Sequence, residues 1–148
     1  MSKTKTIHLA SDHAGFALKS AVIEHLAKQG HAVRDHGTDS TRSCNYPVYA
    51  QALCKAVLTL GDLGILICGS GLGMSMMANR FRGIRAAVCA NEFLAALARR
   101  HNDANVLCLG QRVVGEGLAL DIVELFFCTP FEGGRHQRRI DLIAGMEP

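Results

Sequence analysis

The sequence predicts a three-layer α/β sandwich built on a five-stranded parallel sheet, and three observations carry that prediction. Short apolar runs alternate along the chain with longer segments of helical apolar spacing. The central runs, such as Ile65-Leu66-Ile67 and Val106 to Leu109, lack an apolar-polar alternation, which marks strands covered on both faces. No repeat, linker or low-complexity stretch divides the 148 residues, of which 49% are hydrophobic. A chain of that length buries about 70% of its unfolded surface, so residues 1–148 are read as one domain.

The first strand is predicted over Thr6 to Ala10, followed by the turn Ser11-Asp12-His13-Ala14-Gly15. A helix then runs to about Gln29 with Phe16, Val22, Ile23 and Leu26 as its apolar positions, and Gly30 stops it. A short second strand covers Ala32 to Asp35, and His36 to Tyr46 is a polar loop. Pro47 suits the first turn of a helix that ends near Leu60. The third strand leads through Ile65-Leu66-Ile67 to Cys68, the glycines at 69, 71 and 73 form a tight turn, and Met74 to Arg80 is a short helix. Ile84 to Cys89 is the fourth strand, Glu92 to Arg100 a helix, Val106 to Leu109 the fifth strand and Gly117 to Phe127 a helix. Arg135 to Ala144, amphipathic and basic at its start, is the last helix and the expected dimerisation element.

Composition removes several classes of function. A formal net charge of +3 without a long Lys/Arg run, and two Tyr with no Trp, argue against a nucleic-acid surface. No stretch approaches the roughly 20 apolar residues of a membrane helix. The six cysteines (44, 54, 68, 89, 108 and 128) show no CxxC spacing, and the start lacks an apolar signal region, so reduced thiols in the cytoplasm are expected. The seven histidines never fall three or four apart, and no metal is assigned.

Chemistry concentrates after the third strand. Glycines that curl the backbone direct several N–H groups into one hollow, and a helix start makes that hollow favourable for negative charge. Gly69, Ser70, Gly71, Leu72 and Gly73 are therefore read as an anion hole, and Cys68 beside it as a sulfur whose thiolate the same field favours. Against this stands the ordinary role of a strand-end cysteine as a small core residue. The pattern G-x-G-x-G fits neither the dinucleotide fingerprint nor the Walker loop. Right-handed crossovers predict the Rossmann/flavodoxin-like strand order 2-1-3-4-5, with strands one and three adjacent at the switch point where ligands bind. Asp12 and His13 would then face Cys68 across one crevice. Asp12 also has a plain alternative as a helix cap.

The helix that ends in Arg99-Arg100-His101-Asn102 runs against the strands, so these residues emerge at the opposite edge of the sheet, as do Arg135, Arg138 and Arg139. Cations at helix ends explain them locally. A functional role instead requires that they serve a neighbouring subunit, which predicts a symmetric homodimer with composite sites.

SDHAGF at 11–16, Tyr46-Pro47, ILICGSGLG at 65–73, Ala78-Asn79 before Arg80, RHND at 100–103, GQRVVG at 110–115 and EGGRHQRR at 132–139 together resemble the ribose-5-phosphate isomerase B family, which also holds allose-6-phosphate and galactose-6-phosphate isomerases. The resemblance spans nearly the whole chain. It implies interconversion of a phosphorylated aldose and its ketose through an enediol without metal or organic cofactor, by a homodimer or a pair of such dimers. Cys68 would be the base and His101 the proton donor that opens the sugar ring. Asp12, His13 and the glycine loop would contact the sugar, while Asn102, Arg112, Arg135 and Arg139 would complete binding, the arginines toward phosphate. Some relatives lack the cysteine and carry a glutamate just after the glycine loop. Met74 stands there, so this chain looks like the cysteine type. Two rivals to ribose 5-phosphate turnover are an isomerase of an allose, galactose or tetrose phosphate and a non-catalytic module that binds a sugar phosphate.

Overall fold

The computed structural model describes residues 5–146. Its strands are β1 (Ile7–Ser11), β2 (Val33–Asp35), β3 (Leu63–Cys68), β4 (Ala86–Val88) and β5 (Val106–Gly110). The helices are α1 (Phe16–Lys28), α2 (Tyr46–Leu60), α3 (Leu72–Ala78), α4 (Glu92–Asn102), α5 (Glu116–Cys128) and α6 (Arg135–Ala144), with a single 3-10 turn, His13–Gly15, ahead of α1. All strand neighbours are parallel, in the order β2-β1-β3-β5-β4. The expected adjacency of the first and third strands is present, and the expected order 2-1-3-4-5 is corrected in its last two places.

Burial explains the exchange. Every residue of β5 (VLCLG) is buried, whereas β4 (AAV) is only partly buried along its length. Fully burying a Val or Leu side chain contributes about 1.5–3 kcal/mol, so the longer, larger strand takes the place that both helical layers cover. Arg85, next to β4, keeps its guanidinium at the protein surface on the carbonyls of Asn102 and Asp103. The exchange sets Gly110 directly against Cys68 in the ladder.

Side chains of the three central strands alternate between two cores. Leu9, Ile65, Ile67, Leu107 and Leu109 meet the layer of α1, α4 and α5 through residues such as Val22, Ala95 and Phe126. Ala10, Leu66, Cys68, Val106 and Cys108 meet α2 and α3 through Leu53, Val57 and Met74. Cys68 thus points toward the α2/α3 side. Because both sets are apolar, the two-residue period does not show as polarity in the sequence. Helix α6 lies outside the sandwich, packed against α4.

Two buried polar clusters tie the edge to the centre. Lys19, 1% exposed, donates from Nζ to the Asp35 carboxylate and the Thr38 carbonyl, which fastens α1 to the loop after β2. His8, on β1, lies between Asp62 (3.0 Å) and His36 (2.9 Å). Burial, with His8 and Arg34 nearby, holds the His36 imidazole below its ordinary value.

The turn after β1 sits hard against β3: a Cβ at Gly15 would stand 2.4 Å from the Ile67 carbonyl oxygen. Gly15→Ala therefore lowers stability by about 1–3 kcal/mol. Gly117→Ala, in α5 with nothing within 4 Å of the added carbon, raises it by up to about 1 kcal/mol. Urea unfolding midpoints of the two variants check the pair, and an unchanged Gly15→Ala midpoint would show that the backbone there yields.

Candidate active site

The carboxyl ends of β1, β3 and β5 lie side by side, and the loops that leave them are bonded to one another. Asp12 N–H donates to the Ile67 carbonyl at 3.2 Å, Gln111 N–H to the Cys68 carbonyl at 2.9 Å and Arg112 N–H to the Gly69 carbonyl at 3.0 Å. Gly110 packs on the glycine loop so closely that a Cβ there would stand 2.6 Å from the Ser70 carbonyl carbon. Asp12 and Arg112 are thus held on opposite sides of Cys68 by backbone.

Cys68 is 5% exposed, and its Sγ accepts the N–H of Gly71 at 3.1 Å. Gly71 has φ +81°, a left-handed conformation that glycine adopts without a Cβ clash and that turns its amide back onto the sulfur. An amide donor is held more strongly by a thiolate than by a thiol, because the acceptor is charged. Helix α3 starts at Leu72, two residues earlier than expected, and Ser70 Oγ accepts the Leu72 N–H at 3.2 Å. Met74 is fully buried, so no carboxylate occupies that position.

Asp12 performs the capping role as well as facing the crevice: its Oδ1 accepts the N–H groups of Ala14 (2.9 Å) and Gly15 (3.1 Å). Among the described residues Oδ2 has no protein donor, which leaves an oriented acceptor for a hydroxyl. His13 Nδ1 accepts the Cys44 N–H at 3.2 Å, an assignment that puts the ring proton of the neutral tautomer on Nε2. The Arg112 guanidinium lies over Gly69, with Nη1 3.1 Å from where a Cβ would stand. The ring of Tyr46 packs over Gly73, where a Cβ would come within 2.7 Å of it. Tyr46 lines the loop without having been given a role from the sequence; the Tyr-Pro step at a helix start was the available signal.

The remaining candidates are at the other end of the sheet. Asn105, just beyond α4, accepts the N–H of Gly64 at the start of β3, and Gly64 to Cys68 spans about 13 Å of strand. His101 stacks on His136 with ring centroids 4.2 Å apart and planes 11° from parallel. Glu132 Oε2 lies 3.9 Å from His101 Nε2 and 3.6 Å from His136 Nε2. Burial, with His101 and Arg135 adjacent, holds the His136 imidazole below its ordinary value. Asn102, Arg135 and Arg139 are exposed, and no carboxylate pairs with either arginine among the described residues. One chain therefore brings together Asp12, His13, Cys68, the 69–73 loop and Arg112, and separates them from His101, Asn102, Arg135 and Arg139. Glu132 and His136 were missed as individuals, because the turn through Gly133 and Gly134 ahead of α6, and not a helical repeat, brings them together.

What these features define is an α/β domain with a crevice at the carboxyl ends of the central strands, lined by a carboxylate, an imidazole, a thiol and a guanidinium. The Ribose/Galactose Isomerase family model matches residues 7–143, and the chain belongs to that family. It is 47% identical over 145 residues to ribose-5-phosphate isomerase B of Escherichia coli (strain K12), covering 97% of each chain. Among solved structures it is similar to ribose-5-phosphate isomerase B of Clostridium thermocellum, with a TM-score of 0.93 and 46% identity over 94% of this chain and 95% of that one. The Mycoplasma genitalium enzyme, solved with bound ribulose-5-phosphate, gives a TM-score of 0.91 and 45% identity over 94% and 93%.

Of the other five thiols, three are buried, one is exposed and Cys44 is half-buried. Burial pushes Cys54 up to about 12 and Cys89 up to about 11, and Cys108, in full burial, well above its ordinary value. Cys128 is exposed. Alkylation of the native protein should therefore label Cys128 first and reach Cys54, Cys89 and Cys108 only after unfolding. Peptide mapping by mass spectrometry reads this, and native labelling of Cys108 at the rate of Cys128 would show that the centre of the sheet opens.

Proposed function

We propose that the chain interconverts ribose 5-phosphate and ribulose 5-phosphate through an enediolate, with Cys68 as the base. The observation that carries this reading is the sulfur itself, fixed between Asp12 and Arg112 with the Gly71 N–H upon it at 3.1 Å. The relative solved with ribulose-5-phosphate, at 45% identity, supports the choice of sugar.

With the sugar open, the Cys68 thiolate removes the C2 proton of the aldose, and the electron pair left on carbon moves to the carbonyl oxygen at C1. The amides of the 69–73 loop other than those of Gly71 and Leu72, which are held by Cys68 Sγ and Ser70 Oγ, are the preorganised donors for that oxygen, and such donors stabilise the charge most when fixed before it forms. Transfer of the hydroxyl proton from O2 to O1, and return of the Cys68 proton to C1, yields the ketose and regenerates the thiolate. The free oxygen of Asp12 and the Nε2–H of His13 orient sugar hydroxyls. Arg112 meets the phosphate, whose binding energy positions the reacting carbons.

Ring opening needs a proton donor at the sugar ring oxygen, assigned to His101, and His101 lies beyond the reach of its own chain's Cys68. A second copy accounts for it: His101, Asn102, Arg135 and Arg139 of one subunit complete the crevice of another. Helix α6, with Leu142, Ile143 and the following Met146 exposed, is the proposed dimerisation element, and two such dimers can pair further. The proposed reaction calls for neither metal nor organic cofactor, since the thiolate, the amides, the arginines and the His101 imidazole supply its steps. A cytoplasmic location fits the reduced thiols.

Incubating the protein with ribose 5-phosphate, a chelator and deuterated water should give ketose with deuterium at C1 and, by the reverse reaction, aldose with deuterium at C2, followed by NMR. Binding without turnover would favour the sensor reading, and turnover restricted to a six-carbon or four-carbon phosphate would move the sugar assignment. Cys68→Ala should lower kcat by about 10²–10⁴-fold or more while leaving substrate affinity nearly intact. Turnover like the wild type in that variant refutes the base assignment. Light scattering should find at least a dimer, and a monomer with full activity would remove the composite site.

A further inference from the structure

His101, Glu132 and His136 form a cluster that the isomerisation does not explain as a group. One donor atom from each, the two imidazole nitrogens and a carboxylate oxygen, lie within 4.8 Å of one another. The carboxylate is the common neighbour, at 3.9 Å from His101 Nε2 and 3.6 Å from His136 Nε2. His136 is 6% exposed, and its ring, which makes no hydrogen bond among the described residues, has the Glu132 carboxylate as its ion-pair neighbour, so the imidazole and the carboxylate already face each other. Donor atoms around a tetrahedral zinc, at about 2.0–2.2 Å from the metal, stand about 3.3 Å apart. The cluster is thus within about 1.5 Å of a three-ligand site of the kind that leaves one position open to water or substrate.

We infer that His101, Glu132 and His136 bind a divalent transition metal of the zinc class, and that the bound ion inhibits the isomerase by withdrawing His101. The inhibitory half rests on the proposed role of His101; the binding half does not. Two imidazoles and one carboxylate suit Zn²⁺ or Co²⁺ better than Mg²⁺ or Ca²⁺, which prefer oxygen. The backbone already supports the arrangement, because Glu132 N–H donates to the Arg100 carbonyl at 3.1 Å and so ties the segment before α6 to the end of α4. Two features hold the affinity down. The rings are stacked, so their lone pairs must fan out to converge on one ion, and Arg135 and Arg139 bring positive charge to the site. Exchangeable, inhibitory binding follows from them, in place of a permanent structural ion.

The full-length protein, treated with chelator and then freed of it, is titrated with Co²⁺ without substrate while its visible spectrum is followed. One Co²⁺ per chain is expected, with tetrahedral d–d bands, no sulfur-to-cobalt charge-transfer band, and displacement by Zn²⁺. Glu132→Gln, at a surface position outside the catalytic set, should weaken Co²⁺ binding at least about tenfold and abolish Zn²⁺ inhibition while keeping turnover of ribose 5-phosphate. His136→Ala should weaken the metal likewise. Absence of saturable binding, a thiolate charge-transfer band, or bands that survive both variants would overturn the site. Binding as expected with undiminished turnover would leave the metal site standing and remove the role of His101.

Discussion

The structure depends above all on how closely backbone approaches backbone at the carboxyl ends of β1, β3 and β5. Gly15 lies on the Ile67 carbonyl and Gly110 on Ser70, at separations where a side-chain carbon would stand 2.4 Å and 2.6 Å from its neighbour. Those contacts bring the turn carrying Asp12 and His13 and the loop carrying Arg112 up to Cys68. The hydrogen bonds from Asp12, Gln111 and Arg112 to the Ile67, Cys68 and Gly69 carbonyls then fix them there. A site held by main chain has little side-chain freedom left to lose when ligand binds, the condition under which preorganised donors act well.

The same architecture limits what one chain can do. Parallel strands joined by antiparallel helices deliver strand-end loops to one edge and helix ends to the other, so Cys68 and His101 face away from each other by construction. Asn105 bonded to Gly64 marks where α4 returns to the strand starts. In the proposed dimer this limit becomes the means of assembly, since the cationic helix ends of one subunit meet the anion-binding crevice of another. The exposed Leu142 and Ile143 on α6, 73% and 60% accessible, are the apolar surface from which such an interface can be built. An ion held by His101, Glu132 and His136 would act on that same junction.

Reading residues alone reaches a long way here because both layers of the fold are written in apolar spacing. The strand-helix alternation, the three-layer class, the β1/β3 switch point, the glycine loop and the separation of the Cys68 and His101 groups all follow from where apolar runs begin and end. The strand order did not. Ile84 to Cys89 and Val106 to Leu109 look alike as runs, and only the comparison of two-sided burial, VLCLG against AAV, distinguishes centre from edge. Arg85 ahead of the shorter strand was the signal that could have been weighed. The packing of Tyr46 over Gly73 and the position of Arg112 over Gly69 likewise depend on residues far apart in the chain.

The sequence by itself determined which elements form and which chemistry each loop carries, because helix and strand periods and glycine turns are properties of neighbouring residues. Only the tertiary structure decided which loops meet. It put Gly110 beside Cys68, turned the Gly71 amide onto sulfur and gathered His101, Glu132 and His136, because those outcomes depend on how buried area and close backbone contact are shared among strands whose separation along the chain no local pattern records.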